Sequence, residues 1–543
     1  MVFARRSTTL LAAIIASCAM VLSLTACTSD NKTVVDGQTT VTSNSAGGVA
    51  VFTPSDGITL NQQMPLNKWA KLVPDLTKAL VDAGFKKGDI NHTTSDSLDK
   101  QSRAIQDFVV DHLSNNTTDD SGIAIAPDNM TLLVAPVVEA DASTRQYGDY
   151  VSQNLSTNDV TDEGATSDGE SSEDDSSKDD SSNTESDGTA SDEQAQAVDR
   201  LVSSLKLAKE SGMHVVLLGN SIEGYKPDAF VKFSDAQTIG KLQAEKMVSK
   251  LKLDKASKDN PKYIEVLLPY TAMDEKGNAN DSTFAQEAFR GIWQVLGSYY
   301  QKGVVESPSG TLDGKSTEND WQAVAYDAAK EGSTAKVLDK RLAKTDGQST
   351  LTRIDGIITM NDYIASEVVK ELDDLGYTGS AADINPQITI SGIVGNITGK
   401  KDLSRDAVPD PIKSPENDNA NDSSSSDDDA DKDTSASDKD RDSQWPLVTG
   451  YGAYVSNIPS IVNGKQWMTG MEDRQTIATD IAQACAKLNK DEALNSMPSI
   501  RNSEVGGVKK IPTISEPLLA VSASNLKSAL IDPGYISLAD AGL

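Results

Sequence analysis

Short runs of aliphatic and β-branched residues alternate with stretches whose apolar residues recur at helical spacing. This alternation confines the chain to parallel-sheet architectures. Val49-Ala50-Val51-Phe52 follows Gly47-Gly48 and reads as a strand. Trp69, Leu72, Leu76 and Leu80 then recur on one helical face, and Gly84 closes that helix. Leu132 to Pro136, Val215 to Leu218 and Ile264 to Leu268 are unbroken apolar runs, as strands covered on both faces should be. Ile357-Ile358 is followed by Ile364, Val368, Leu372 and Leu375, a one-faced helix ending at Gly376. Repeated βα units predict doubly wound α/β folding, and 543 residues suffice for two lobes. In such sheets ligands gather at the carboxyl ends of the strands.

Two segments break the pattern. Asp159 to Glu193 carries fourteen acidic residues against Lys178, and Glu416 to Asp442 carries eleven against Lys432, Lys439 and Arg441. They account for −21 of the formal charge of −31. Neither has the apolar surface to offset the entropy of ordering, so disordered insertions are expected at 157–194 and 414–443. They read as solvated loops, with weak multivalent Ca²⁺ binding or electrostatic spacing from an anionic cell wall as alternatives, and no EF-hand spacing is present. A chain this acidic repels phosphate backbones, which excludes a general nucleic-acid binder. Three His and three Cys exclude a zinc-finger array, a disulfide framework and iron–sulfur ligation.

At the amino end, Arg5 and Arg6 precede an apolar run from Leu10 to Leu24. This has the form of a secretory signal, here 1–26. Leu24-Thr25-Ala26-Cys27 resembles the lipobox of bacterial lipoproteins, which implies acylation of Cys27 and anchoring at the outer face of the cell membrane. Residues 27–47 read as a flexible tether. Once Cys18 is removed and Cys27 lipidated, no internal disulfide can form, and Cys485 reads as a small buried hydrophobe.

Enzyme signatures fail. Gly392 to Lys400 has the wrong spacing for a phosphate loop, no G-x-G-x-x-G turn occurs, and His92, His112 and His214 are scattered outside any triad context. Asp274, Asn278 and Asn280 form a loose oxygen cluster that Lys276 interrupts. Nothing in these residues calls for catalysis, a metal or a cofactor.

Several segments, taken in order, resemble the xylose- and multiple-sugar-binding proteins of bacterial ABC importers, which have the type I periplasmic-binding fold. Asp99 to Val110 is similar to the family's helix before the third strand, and Leu132 to Val137 to its "vIaPv" strand. Val231 to Asp235 with Ile239 to Ala244 resembles its "VsfDn…vGelqA" crossover, and Asp355 to Asp362 its "DgilaaND". Ile461 to Thr469 is similar to "IidGkQtmT", and Ile511-Pro512 with Ser524 to Leu526 and Ile531 to Tyr535 to the closing segment. The resemblance implies two lobes joined by a three-crossover hinge. Lobe 1 would span 48–230 with a return at 468–510, lobe 2 would span 231–467, and the tail at 511–543 would cross back.

It also implies a small polar ligand, a carbohydrate, held between the lobes of a monomer and passed to an ABC permease. Lys68 and Trp69 fall where relatives have Arg-Trp, although Trp69 equally fits the head of a buried helical stripe. Trp321 falls on a stacking Trp, with ordinary core as an equal reading. Asn361 and Asp362 match the Asn-Asp pair, and Asn278 and Asn280 an Asn-rich loop. Three places depart from the pattern. Asn220 and Ser221 replace an Asp-Arg pair, Tyr451 stands in a "GqDa" that has lost its carboxylate, and Glu472 replaces a Lys. Loss of these charge-assisted grips opens an alternative, a sensory or interaction lipoprotein that keeps the fold but has lost the usual monosaccharide site.

Overall fold

The computed structural model describes residues 34–35, 38–39, 46–55, 65–115, 125–138, 145–156, 188–273, 281–328, 330–343, 351–381 and 445–543. The chain divides into two units, Met1–Asn44 and Ser45–Leu543. Within the first, Val34–Val35 pairs antiparallel with Gln38–Thr39, inside the stretch read as a flexible tether.

In the second unit the first lobe is built on strands β1 (Gly48–Pro54), β2 (Ile90–Ser95), β3 (Met130–Val134), β4 (His214–Leu218) and β5 (Ala229–Lys232). The second lobe contains β6 (Lys262–Val266), β7 (Val305–Glu306), β8 (Gly356–Ile358) and β9 (Leu447–Val448). The chain then runs through β10 (Met468–Met471), β11 (Ile500–Val505), β12 (Val508–Ser515) and β13 (Leu519–Ser522). Among the described residues one seven-stranded sheet has the order β11-β12-β5-β4-β3-β1-β2, parallel except for the β11–β12 hairpin. A four-stranded parallel sheet has the order β7-β6-β8-β9. In both sheets the first strand lies between the second and third. Each lobe therefore reverses its winding at the point where a doubly wound sheet opens a crevice.

The unbroken apolar runs are explained by two-sided burial. Val49, Val51, Leu133, Val216 and Leu218 enter one core of lobe 1, and their neighbours Ala50, Phe52, Leu132, Val134, Val215 and Leu217 enter the other. Helices α1 (Trp69–Asp82), α2 (Leu98–Asn115) and α3 (Gly188–Glu210) cover these faces. Leu72, Leu76 and Leu80 of α1 share the first core, while Ile105 of α2 and Leu201 of α3 sit in the second. Lobe 2 is covered in the same way by α4 (Ala236–Leu251), α5 (Thr283–Gln301), the single turn α6 (Trp321–Val324), α7 (Ser333–Arg341) and α8 (Asp362–Asp374). Helix α9 (Arg474–Leu488) returns to lobe 1, where Ile477, Ile481 and the fully buried Cys485 complete the first core.

The lobes are linked at Phe233–Asp235, after β10, and between Ser515 and Leu519. β10 and β13 lie side by side and antiparallel, from Met468 opposite Ser522 to Met471 opposite Leu519. Two findings refine the expected boundaries. β12 stays in the lobe 1 sheet as far as Ser515, because it pairs with β5 there. Helix α3 starts at Gly188, inside the segment expected to be unstructured up to 194, and the burial of Ala197, Val198 and Leu201 gives it a docking face.

Candidate functional site

On the lobe 1 side, the carboxyl end of β1 leads through Pro65–Lys68 into α1. The Lys68 ammonium pairs with Asp149 at 2.7 Å, and the other Asp149 oxygen accepts from the Trp69 backbone N–H at 3.0 Å. An acidic group over a helix start is favourably placed, because the first N–H groups of the helix have no internal partner. The Trp69 ring is buried edge-on against Tyr150 and Phe233, with centroids 5.1 and 5.7 Å away. Beyond β4, Asn220 accepts from Gln153 N–H and donates to the Pro136 carbonyl, both at 2.9 Å. Ser221 donates to Asn154 at 2.8 Å.

On the lobe 2 side, Asn361 caps α8. Its Oδ1 accepts from the Ile364 N–H at 2.9 Å, while its Nδ2 donates to Gln146 at 3.1 Å. Asp362 points away into the protein, where its carboxylate accepts from Gln466 (2.7 Å), Thr469 (2.9 Å) and the Tyr454 N–H (2.9 Å). Complete burial pushes its carboxyl up to about 6 despite these donors. This residue therefore holds β10 and the loop after β9 in register.

Tyr451 and Glu472 form a buried cluster with the first crossover. The Ser234 and Tyr451 hydroxyls are hydrogen-bonded. A Glu472 oxygen accepts from the Ser234 N–H at 2.6 Å and from the Tyr451 hydroxyl at 3.4 Å. Burial pushes the Glu472 carboxyl up to about 7, and the same cause raises the Tyr451 hydroxyl well above its ordinary value. Glu472 thus staples the first crossover to the second.

Between these two rims lies residues 145–155, a segment on which the family motifs are silent. Gln146 accepts from Asn361, and its carbonyl accepts from the Tyr454 hydroxyl at 2.7 Å. Tyr147 packs on Phe284 and Tyr451 of lobe 2, at centroid distances of 4.7 and 6.3 Å. Tyr150 stacks on Phe233 at 4.8 Å and donates to the Lys68 carbonyl at 2.5 Å. Tyr147 and Tyr150 are each 1% exposed. A direct backbone bond, Leu66 N–H to Gly452 O at 2.8 Å, joins the lead-in to α1 to the loop after β9 beside the hinge. The only sequence signal for the segment is two tyrosines three residues apart in a polar stretch, which by itself names no partner.

Trp321 belongs to the same apolar cluster as Tyr147 and Tyr451. It is 9% exposed, meets Tyr270 edge-on at 5.1 Å, and lines a groove of about 570 Å³ with Met273, Gln322, Asp327 and Lys330. Its contacts and those of Asn361 are made to different residues. The structure thus gathers Lys68, Trp69, Asn220, Asn361 and Tyr451 around residues 145–153, with Glu472 one contact further out through Ser234 and Tyr451 and Trp321 in the same apolar cluster as Tyr147. Asn278, Asn280 and Cys27 lie outside the described residues.

Two parallel sheets with the same strand order, joined by three crossovers, make the α/β two-lobed architecture of the type I periplasmic-binding fold. The chain resembles sugar-type solute-binding proteins of ABC transporters. It is similar to a solute-binding protein from Clostridium phytofermentans with bound β-D-glucose (16% identity, 91% of this chain and 99% of that one, TM-score 0.44). It is also similar to a carbohydrate transporter solute-binding protein from Chloroflexus aurantiacus in complex with D-glucose (17%, 92% and 98%, 0.43). A third is a periplasmic ribose ABC transporter from Conexibacter woesei (12%, 90% and 96%, 0.42). No family model matches, and no curated protein matches.

Proposed function

We propose that this chain is a solute-binding component of an ABC importer, anchored through Cys27 at the outer face of the membrane after removal of residues 1–26. It captures a sugar or sugar-like ligand between its lobes, performs no chemistry on it, and presents the closed form to a permease. The observation that carries this reading is the convergence of two strand-end rims on one cleft. Lys68 and Trp69 of lobe 1 and Asn361 of lobe 2 meet the same few intervening residues there. An aromatic face with a polar fringe suits a sugar ring, whose C–H side is apolar and whose hydroxyls need partners. Closure is a hinge motion, and whatever contacts both lobes stabilises it. No helix among the described residues is long and apolar enough to cross a membrane.

Isothermal titration of the protein with a panel of monosaccharides and oligosaccharides tests the proposal. Heat from at least one sugar with one-site stoichiometry is expected, and silence across the panel sinks it. The second reading, a sensory or interaction lipoprotein, is favoured by one observation: the cleft is already filled by the chain's own Tyr147. Co-purification with a permease supports uptake, whereas co-purification with a sensor kinase supports signalling.

A further inference from the structure

We propose that residues 145–153 are a built-in occupant of the cleft, which holds the lobes shut without any added ligand and must withdraw before a soluble one can enter. This goes beyond the solute-binding reading, and only the sugar arm of the experiment below rests on that reading.

The segment makes the contacts that a bridging ligand would make. Toward lobe 1, Asp149 pairs with Lys68 and takes the Trp69 N–H, its own N–H donates to the Asn67 carbonyl at 2.8 Å, and the Gln153 N–H donates to Asn220. Toward the hinge, the Ser152 N–H donates to the Ser234 carbonyl at 3.2 Å. Toward lobe 2, Gln146 takes the Asn361 amide and Tyr147 lies against Phe284 and Tyr451. An aromatic ring with polar groups on both sides meets the same requirements as a sugar ring.

The fit is specific at the backbone level. Gly148 has φ +95°, a left-handed conformation that favours glycine, and a Cβ there would stand 2.5 Å from the Asn67 carbonyl oxygen. The segment is also an insertion. β3 ends at Val134 and α3 begins at Gly188, far beyond the two to six or so residues of an ordinary βα connection. The segment's two tyrosines are each 1% exposed. Here they join the two cores, Tyr150 in one and Tyr147 in the other.

Hydrogen exchange of the full-length chain, read by mass spectrometry without ligand, tests this. Peptides covering the amides of Asp149, Ser152 and Gln153 are expected to exchange about a hundredfold more slowly than free chain. Gly148→Ala is expected to remove at least about tenfold of that protection while leaving β1 and β4 unchanged. Exchange at free-chain rates in the wild type overturns the proposal, as does unchanged protection in Gly148→Ala. If Gly148→Ala loses protection throughout, Gln146→Ala takes its place, with a smaller loosening confined to the segment expected and no loosening counting against the proposal. In the sugar arm, D-glucose, D-xylose and D-ribose are titrated into both proteins. Binding at least about tenfold tighter to the loosened variant supports the occupant. The expected protection with no sugar bound by either protein keeps the occupant and discards the importer reading. Tight binding to the wild type with the segment still protected overturns the occupant.

Discussion

Glu472 joins two crossovers with one carboxyl group, and its protonation state should be visible in the stability of the fold. Its folded value of about 7 lies above the ordinary 4.5 because burial disfavours the charged form. Between those values the folded state holds a proton that the unfolded state has released, so stability falls as pH rises from about 4.5 to about 7 and is level above. Glu472→Gln keeps an acceptor for the Ser234 N–H and has nothing to ionise. Its denaturation midpoint should therefore lose a pH-dependent component worth at most roughly 3 kcal/mol. Equal pH profiles for variant and wild type, measured by urea unfolding from pH 4 to pH 8, would refute this role. Asn361 also has two tasks, and they can be separated. Asn361→Ala removes the cap of α8 and should cost about 1 kcal/mol, whereas Asn361→Ser keeps a capping oxygen but is too short to hold Gln146. Urea midpoints should separate the two variants, while exchange at residues 145–147 should quicken in both.

At the level of elements, α4 and α5 pack closely because each offers a glycine to the other. A Cβ at Gly291 would lie 2.0 Å from the Gln237 carbonyl oxygen, and one at Gly240 would lie 2.2 Å from that of Ala288. Neither backbone can yield without moving its helix. Gly291→Ala is therefore expected to lower stability by about 1–3 kcal/mol despite its better helix propensity. A calorimetric melt that is unchanged or higher would show that the helices separate freely. These helices and their strands were readable in the chain because their signals are local. Val49–Phe52 and Val215–Leu218 are apolar throughout since both sheet faces are covered, and Trp69, Leu72, Leu76 and Leu80 repeat with the turn of α1. The run Ile264 to Leu268 was less simple. It splits into β6 and a separate pair, Leu268–Pro269 with Ala325–Tyr326, because the chain changes neighbours at Leu267. The cleft was legible only in part. Lys68, Trp69 and Asn361 stand at strand ends, where the winding rule places ligands. Tyr147 and Asp149 reach the same place through a long connection that leaves no periodic trace, and Glu472 is recognisable as a staple only once Ser234 is beside it.

At the largest scale, the chain crosses between lobes three times, so lobe 1 is not a continuous piece of sequence. Lobe 1 is completed by α9, β11 and β12, and the last residues then leave it to lie against the hinge. Val521, Leu526, Leu530, Tyr535 and Ile536 are buried there with Leu66, Ala453, Ile458, Ile461 and Met471. The Tyr535 hydroxyl also accepts from the Gln475 N–H at 3.1 Å, and the Arg474 guanidinium lies over its ring at 4.3 Å, which ties the tail to the start of α9. The tail therefore packs against the hinge. Removing residues 519–543 takes away the antiparallel partner of β10 together with this apolar cluster. At about 1.5–3 kcal/mol for each fully buried large side chain, partly offset by the ordering entropy the tail no longer loses, the deletion should cost several kcal/mol. The loss should be concentrated at the hinge, with exchange at Met468–Met471 accelerating far more than at β1 or β6. Uniform acceleration across both lobes would mean that the tail supports the fold globally, and no acceleration at β10 would mean that the pairing with β13 contributes nothing to the crossing.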